Sequence, residues 1–106
     1  MHAMVRRYTV KEREIDEVAH RVDTEFAETI SGEPGFIDYQ LIDCGDGTIC
    51  SITIFDTEEQ AHRSNRLAGE WVEESLADVR LERTAAFGGE VLVSRAASAV
   101  LEPAHH

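Results

Sequence analysis

The stretch GFIDYQLIDCGDGTICSITIFD, residues 35–56, decides the fold of this chain. Its central Asp46-Gly47 pair is a strong signal for a two-residue hairpin turn, because both turn positions need a positive φ. The segments on either side, 35–44 and 48–56, are rich in the β-branched and aromatic residues that favour strands. The sequence therefore predicts an antiparallel hairpin in the middle of the chain.

A strand and a long helix are predicted before this hairpin. Residues 3–10 have the alternation of a strand. After them, apolar side chains recur every three or four residues, which is typical of a helix that buries one face. The stripe consists of Ile15, Val18, Ala19, Val22, Phe26 and Ile30. Gly32 followed by Pro34 is a stop signal, so we predict a helix over about 12–31.

A second helix and a last strand are predicted after the hairpin. Asp56 and Thr57 each come three residues before a Glu or Gln, so either can begin a capping box. The helix is predicted over about 57–80. Its stripe is Ala61, Ser64, Asn65, Ala68, Trp71, Val72, Leu76 and Val79. Residues 84–95 complete the strands, with a bulge or bend expected at Gly88-Gly89.

The predicted order is β-α-β-β-α-β. Two right-handed βαβ units joined by a hairpin give an α+β, ferredoxin-like fold. Its sheet has four antiparallel strands in the order 4-1-3-2, with both helices on one face. We expect residues 1–95 to form one domain. The tail, 96–106, is expected to be loosely ordered or packed on a partner.

Both faces of the predicted hairpin are largely apolar. On one face, the alternate residues Ile37, Tyr39 and Leu41 of the first strand are expected beside Cys50, Ile52 and Ile54 of the second. On the other face, Phe36, Gln40 and Ile42 are expected beside Ile49, Ser51, Thr53 and Phe55. Because the helices cover only one face, a second copy of the sheet is expected on the other, as a homodimer. The alternative is a monomer with a partly wetted face.

The net charge of the chain excludes some classes of binding partner. The 106 residues hold 10 Lys+Arg and 21 Asp+Glu, so the net charge is 10 − 21 = −11. Without a basic patch, binding to nucleic acid or anionic membrane is disfavoured. No apolar run reaches the roughly 20 residues of a membrane span and no signal-peptide core is evident, so a cytoplasmic location is expected.

A two-residue turn would direct Cys44 and Cys50 to opposite faces, whereas a longer loop would bring them together.

The sequence resembles a known family of small α+β proteins. The resemblance rests on the order of elements and on four short stretches. These are Gly35-Phe36, Asp43-Cys44-Gly45-Asp46-Gly47-Thr48, Phe55-Asp56 and Leu67-Ala68-x-x-Trp71. They look like the antibiotic-biosynthesis-monooxygenase-like family of the dimeric α+β barrel superfamily, over about residues 4–95. The resemblance implies a homodimer whose sheets form a barrel, with a pocket between sheet and helices in each subunit.

The family also implies candidate site residues. Its quinone-forming members oxygenate aromatic substrates without metal or flavin, and an Asn and a Trp on the second helix line the pocket. Asn65 and Trp71 match these types, although their spacing departs from the usual one. An amide donor and an indole N–H would then hold a substrate oxyanion. Substrate-binding residues are expected at Tyr8, Tyr39, Phe55 and Leu67. The alternative is that Trp71 is a core anchor and Asn65 a polar edge residue.

No cofactor is expected. In the haem-degrading branch of the family a histidine of the second helix region binds iron, but here no histidine follows Trp71 before His105. His62 is expected to be a solvated residue of the first turn. One of Arg6 and Arg7 has to face the interior, where it binds an anionic ligand or, as the favoured alternative, pairs with Asp38. The resemblance thus implies a cofactor-independent monooxygenase acting on a phenolic or polycyclic aromatic molecule. A non-catalytic ligand-binding or stress-related dimer is the alternative.

Overall fold

A computed structural model describes residues 1–96 of the chain as a four-stranded sheet with two helical segments. The strands are β1 (His2–Thr9), β2 (Phe36–Gly45), β3 (Thr48–Phe55) and β4 (Glu82–Glu90). All neighbouring strands are antiparallel, in the order β2-β3-β1-β4. This confirms the predicted ferredoxin-like order. The predicted tail lies outside the described residues from residue 97 onward.

Two helical segments cover one face of this sheet. The first helix is a continuous run of a 3-10 turn, an α-helix, a π-helical turn and a second α-helix. Their bounds are Glu12–Glu14, Ile15–Arg21, Val22–Phe26 and Ala27–Ser31. The second helix spans Glu58–Ser75. Neither has the length and apolar composition that crossing a membrane would require.

The π-helical turn of the first helix follows from the spacing of its buried side chains. Val18, Val22, Phe26 and Ile30 are all buried and follow each other at intervals of four residues. Steps of four overshoot the 3.6 residues of an α-helical turn, so the stripe would drift around an α-helix. The wider π turn, closed by the bond from Ala27 N–H to Val22 O, takes up this excess. All four side chains therefore face the sheet.

The second helix begins as predicted but ends five residues earlier than predicted. Thr57 and Gln60 form the capping box, so Thr57 rather than Asp56 is the cap. At the other end, Arg21 Nη1 donates to the Ser75 carbonyl at 3.0 Å. This partner comes from the first helix and could not be read from the local sequence. Arg80, with a φ of 58°, then reverses the chain toward β4.

The predicted pairing of faces within the hairpin is wrong for residues 38–43, whereas Phe36 pairs with Phe55 as predicted, because a second bulge at Ile37 restores the register. Asp46 and Gly47 have φ values of 54° and 73°, as the predicted two-residue turn requires. However, Cys44 is an extra residue between the pairs Asp43–Ile49 and Gly45–Thr48. A one-residue bulge moves every side chain beyond it to the other face.

Two consequences of this bulge correct the sequence analysis. Tyr39 and Leu41 share the helix-facing side with Ser51 and Thr53, while Gln40 and Ile42 share the open side with Cys50 and Ile52. The two thiols, expected on opposite faces, are neighbours. Burial and a hydrogen bond with Cys44 raise the pKa of the Cys50 thiol, and both cysteines are free.

The last strand also differs from the prediction. It ends at Glu90 rather than at residue 95, and Leu92 and Val93 are 90% and 80% exposed. Its bulge lies at Thr84, because Ala85 pairs with Arg7 and Arg83 with Tyr8. Gly88 and Gly89 continue the regular pairing with β1.

The core lies between the sheet and the helices in two adjoining groups of buried side chains. One group is centred on Tyr8, Val18, Val22, Ile49 and Leu76. The other contains Met4, Phe26, Ile30, Phe55, Ala61 and Ala68. Trp71 and Tyr39 pack against both, so these two aromatic residues lie where the groups meet.

Candidate functional site

A small cavity lies where the sheet meets the two helices. Its free volume is about 20 Å³, enough for a single water molecule. Most of its wall is apolar, with contributions from Val22, Phe26, Ile49, Trp71, Leu76 and Leu81. The polar side chains at the cavity are Arg6, Tyr8, Tyr39 and Ser51. A cavity of this composition combines aromatic walls with a few hydrogen-bonding groups.

Arg6 brings a positive charge to this cavity. It is 1% exposed because β1 directs its even-numbered side chains to the helices, whereas Arg7 faces the open side. Its Nη2 donates to Thr53 Oγ1 at 2.9 Å and its Nη1 to Asn65 Oδ1 at 3.5 Å. Its Nε has no hydrogen-bond partner within residues 1–96. Burial lowers the pKa of Arg6, yet a guanidinium keeps its proton in proteins.

The favoured pairing of Arg6 with Asp38 is wrong. Asp38 pairs with Ile54 on the open side of the sheet and accepts hydrogen bonds from Gln40 at 3.2 and 3.4 Å. In the described part of the chain, Arg6 forms no salt bridge with any carboxylate. A buried charge without an opposite charge is costly. The cavity therefore holds a cation that is free to receive an anion.

Besides the hydroxyl groups of Thr53 and Tyr8, two more lie beside this cation, those of Ser51 and Tyr39. Ser51 Oγ is buried and makes no hydrogen bond within the described residues. Burial raises the pKa of Tyr39 to about 12, although the charge of Arg6 acts in the opposite direction. The phenol thus stays protonated well into alkaline solution. Arg6, Ser51 and Tyr39 together supply hydrogen-bond donors that an oxyanion in the cavity requires.

Asn65 lies behind Arg6 and not on the cavity wall. Its Oδ1 accepts from Arg6 Nη1 at 3.5 Å and from Arg83 Nη1 at 3.0 Å. Its amide oxygen therefore holds two guanidinium groups in place. The catalytic role predicted for Asn65 stays a prediction, and the contact observed is with Arg6.

Trp71 contributes its ring to the cavity, while its N–H points outward. The ring packs against Phe26 with the ring centroids 5.6 Å apart. Its Nε1 donates to Glu25 Oε1 at 3.4 Å, at an exposed position. The indole donor expected at the oxyanion is thus engaged by a surface carboxylate. Trp71 acts at the cavity as an aromatic wall.

The four predicted substrate-binding residues fall into two pairs. Tyr8 and Tyr39 line the cavity. Phe55 does not, because it is 1% exposed and packs edge-on against Phe36, with the ring centroids 5.7 Å apart. Leu67 packs against the same part of the core. The structure therefore brings Tyr8, Tyr39 and Trp71 to the cavity, whereas Phe55 and Leu67 are not among the residues that line it.

Sequence reasoning left open whether Arg6 or Arg7 faces the interior, and it missed Ser51 as a polar group of the cavity. The alternation of β1 required Arg6 or Arg7 to face inward, but parity alone does not say which face is buried. The usable signal was that Met4 and Tyr8, two residues to either side of Arg6, are large and apolar. No comparable signal marks Ser51, because apolar residues lie at both alternating sets of β3 positions and the sequence does not say which set faces the helices.

Comparison with known proteins now places this site in a family. The sequence profile of the family described as antibiotic biosynthesis monooxygenase matches residues 1–74. The chain belongs to the antibiotic biosynthesis monooxygenase family. The matched region includes Arg6, Ser51 and Trp71, and so covers three sides of the cavity. No curated protein sequence matches the chain.

Solved structures share the fold of this family member at low sequence identity. A dimeric ferredoxin-like protein from an uncultured marine organism is 12% identical, with a TM-score of 0.70 over 91% of this chain and 98% of that one. A protein of unknown function from Nitrosomonas europaea is 15% identical, with a TM-score of 0.70 over 92% and 94%. SnoaB, a cofactor-independent oxygenase from Streptomyces nogalater, is 18% identical, with a TM-score of 0.60 over 88% and 94%. Identities this low establish the common fold alone.

Proposed function

We propose that this protein is a cofactor-independent monooxygenase that acts on a phenolic or polycyclic aromatic molecule. The observation that carries the proposal is the buried Arg6 guanidinium, which faces the cavity and has no carboxylate partner among residues 1–96. A phenol or enol that loses its proton beside this charge gains an opposite charge in a low-dielectric site. That interaction lowers the pKa of the bound substrate and favours the electron-rich anion.

The anion supplies the electrons for the reaction with oxygen. For a substrate with a benzylic CH2 group, O2 delivers one oxygen atom to that carbon, which becomes a carbonyl. The second oxygen atom leaves as water together with the two hydrogens of the CH2 group. In this scheme Arg6 and Ser51 hold the oxyanion, the protonated Tyr39 donates to it, and Trp71 and Phe26 orient the ring.

The size of the cavity sets a condition on this proposal. Ligand sites for molecules of this kind have volumes of roughly 300–1,000 Å³, whereas the free volume here is about 20 Å³. The walls therefore have to move apart when a substrate enters. The wall residues that are only partly buried have most freedom to move, and these are Tyr39, Leu41, Trp71, Val72 and Leu81.

The test is oxygen uptake with a panel of hydroquinones and anthrones. We expect the wild-type protein to consume oxygen, and Arg6→Gln to lose at least about 100-fold in kcat/KM, since removal of one oxyanion donor typically costs this much. Trp71→Phe should raise KM more than it lowers kcat, because the ring orients the substrate. Arg66→Gln, at an exposed position of the second helix, is the matched control. Equal rates for wild type and Arg6→Gln would contradict the proposal.

We also propose that a second copy of the chain covers the open side of the sheet. That side presents Val5, Ile42, Ile52, Ile54 and Phe87. Phe87 is 61% and Ile42 is 42% exposed in the single chain. A homodimer would bury these side chains, and the similarity to a dimeric ferredoxin-like protein supports it. The expected cytoplasmic location stays a prediction.

The second candidate is a ligand-binding protein without catalysis, for example a stress-related dimer. It is favoured by the small free volume and by the outward direction of the Trp71 N–H. The same panel separates the two functions. Quenching of Trp71 fluorescence by an aromatic phenol, without oxygen uptake, would identify a binding protein.

A further inference from the structure

A cluster of metal-ligating side chains lies where β1 begins beside the second helix. It consists of His2, Glu58 and His62, with one nitrogen or oxygen atom of each within 4.8 Å of the others. The cluster is separate from the cavity, whose lining includes none of these residues. His2 is far from Glu58 and His62 in the sequence, so the fold has to bring it to them.

Two of the three ligands come from consecutive turns of one helix. Glu58 and His62 are four residues apart on the second helix, which places them on the same face. His62 Nε2 already lies 3.4 Å from Glu58 Oε2. Both side chains are more than half exposed, at 71% and 51%, and are therefore free to adjust.

His2 approaches this helix face from the sheet. It is 8% exposed, because β1 holds it between Phe55 of β3 and Glu90 of β4 with its side chain directed to the helices. Its ring centroid lies 5.7 Å from that of His62. The nearest carboxylate, Glu90 Oε2, is 4.0 Å from Nδ1, which is too far for a hydrogen bond. Among residues 1–96 this buried imidazole makes no hydrogen bond, and it faces a second imidazole and a carboxylate.

We propose that His2, Glu58 and His62 form a binding site for a divalent transition-metal ion of the zinc type. Imidazole nitrogens and one carboxylate oxygen are ligands that Zn²⁺ and Co²⁺ accept at about 2.0–2.2 Å. Tetrahedral ligands then lie roughly 3.4 Å apart. The atoms therefore have to close by about 1.4 Å at most from the observed 4.8 Å limit, within reach of two exposed side chains.

The charge around the site fits a cation. Two neutral imidazoles and Glu58 would leave the bound divalent ion with one positive charge, and Glu90 adds a carboxylate next to His2. Three protein ligands leave one coordination position for water, as in zinc sites that are not purely structural. The bound ion would also tie the start of β1 to the first turns of the second helix.

The test is titration of the full-length, EDTA-treated protein with ZnCl2 by calorimetry, with Co²⁺ absorption as a second readout. All variants carry His105→Gln and His106→Gln, because these terminal imidazoles also bind zinc. We expect one zinc per chain with micromolar or tighter affinity, visible absorption bands of tetrahedral Co²⁺, and a Tm that rises by several degrees with zinc. His62→Gln and Glu58→Gln should each weaken binding by at least about tenfold and abolish the Tm shift.

The matched control is His20→Gln, an exposed histidine on the first helix, which should bind zinc as the parent does. Because His62 and Glu58 are exposed, their variants are expected to fold, and circular dichroism checks this. Loss of all binding in the His105→Gln and His106→Gln parent would overturn the proposal. Unchanged zinc affinity in His62→Gln would overturn it as well.

Discussion

We expect the charge of Arg6 to contribute little to the free energy of unfolding. It is 1% exposed, and its side-chain bonds go to two neutral groups, Thr53 and Asn65. We expect Arg6→Met to change the free energy of unfolding by less than about 1 kcal/mol. The two lost hydrogen bonds are offset by the removal of a buried charge that lacks an opposite partner. Urea unfolding followed by Trp71 fluorescence measures the change.

Arg21 provides the contrast, because its charge is paired. It donates to both carboxylate oxygens of Asp78 at 2.9 and 3.0 Å and to Glu17 at 2.7 Å. The same contact lowers the pKa of Asp78. Arg21→Met should therefore reduce stability measurably.

A loss of about 3–5 kcal/mol in Arg6→Met, as for a broken buried ion pair, would contradict the view that Arg6 serves ligand binding.

At the scale of elements, the sequence was sufficient wherever the signal is local. The Asp46-Gly47 turn predicted the hairpin, the capping box predicted the start of the second helix, and two right-handed βαβ units predicted the strand order. The prediction failed at the bulges at Ile37, Cys44 and Thr84, because a bulge depends on the partner strand. The prediction of the candidate site was incomplete for the same reason, because the strand pairing decides which side chains reach the cavity.

Gly88 and Gly89 do not form the predicted bulge or bend, but Gly88 has a different structural role. They were expected to mark a bulge, but both pair regularly with β1. A Cβ atom at Gly88 would collide with the Met4 sulfur and lie 2.5 Å from the Ala3 carbonyl oxygen. At Gly89 a Cβ atom meets nothing within 4 Å. Gly88 is therefore required by close packing against β1.

We expect Gly88→Ala to lower the free energy of unfolding by about 1–3 kcal/mol, the usual cost of overpacking. Gly89→Ala is the matched control and should stay within about 0.5 kcal/mol of wild type. Urea unfolding of the three proteins at equal concentration makes the comparison. Equal stability of the two variants would show that Met4 and β1 adjust, and that close packing does not explain Gly88.

At the scale of the whole molecule, the net negative charge of each chain opposes the dimer that the apolar open side of the sheet favours. The helices cover one side of the sheet, and the open side exposes Phe87 and Ile42. Two chains that meet through this side together carry twice −11 charges. Repulsion between them acts over roughly a Debye length, about 10 Å at 0.1 M salt and about 30 Å at 0.01 M. The apolar face has to overcome this repulsion.

The proposed dimer should consequently become tighter as salt is added, opposite to the behaviour of a protein that binds nucleic acid. We expect light scattering to report the mass of two chains at physiological salt and partial dissociation at about 0.01 M salt. Phe87→Glu should yield the mass of one chain under both conditions, because it places a charge on the apolar open side of the sheet. His20→Glu adds the same charge on the first helix and should leave the dimer intact. A wild-type mass of one chain at physiological salt would refute the dimer and leave the apolar open side of the sheet without a partner.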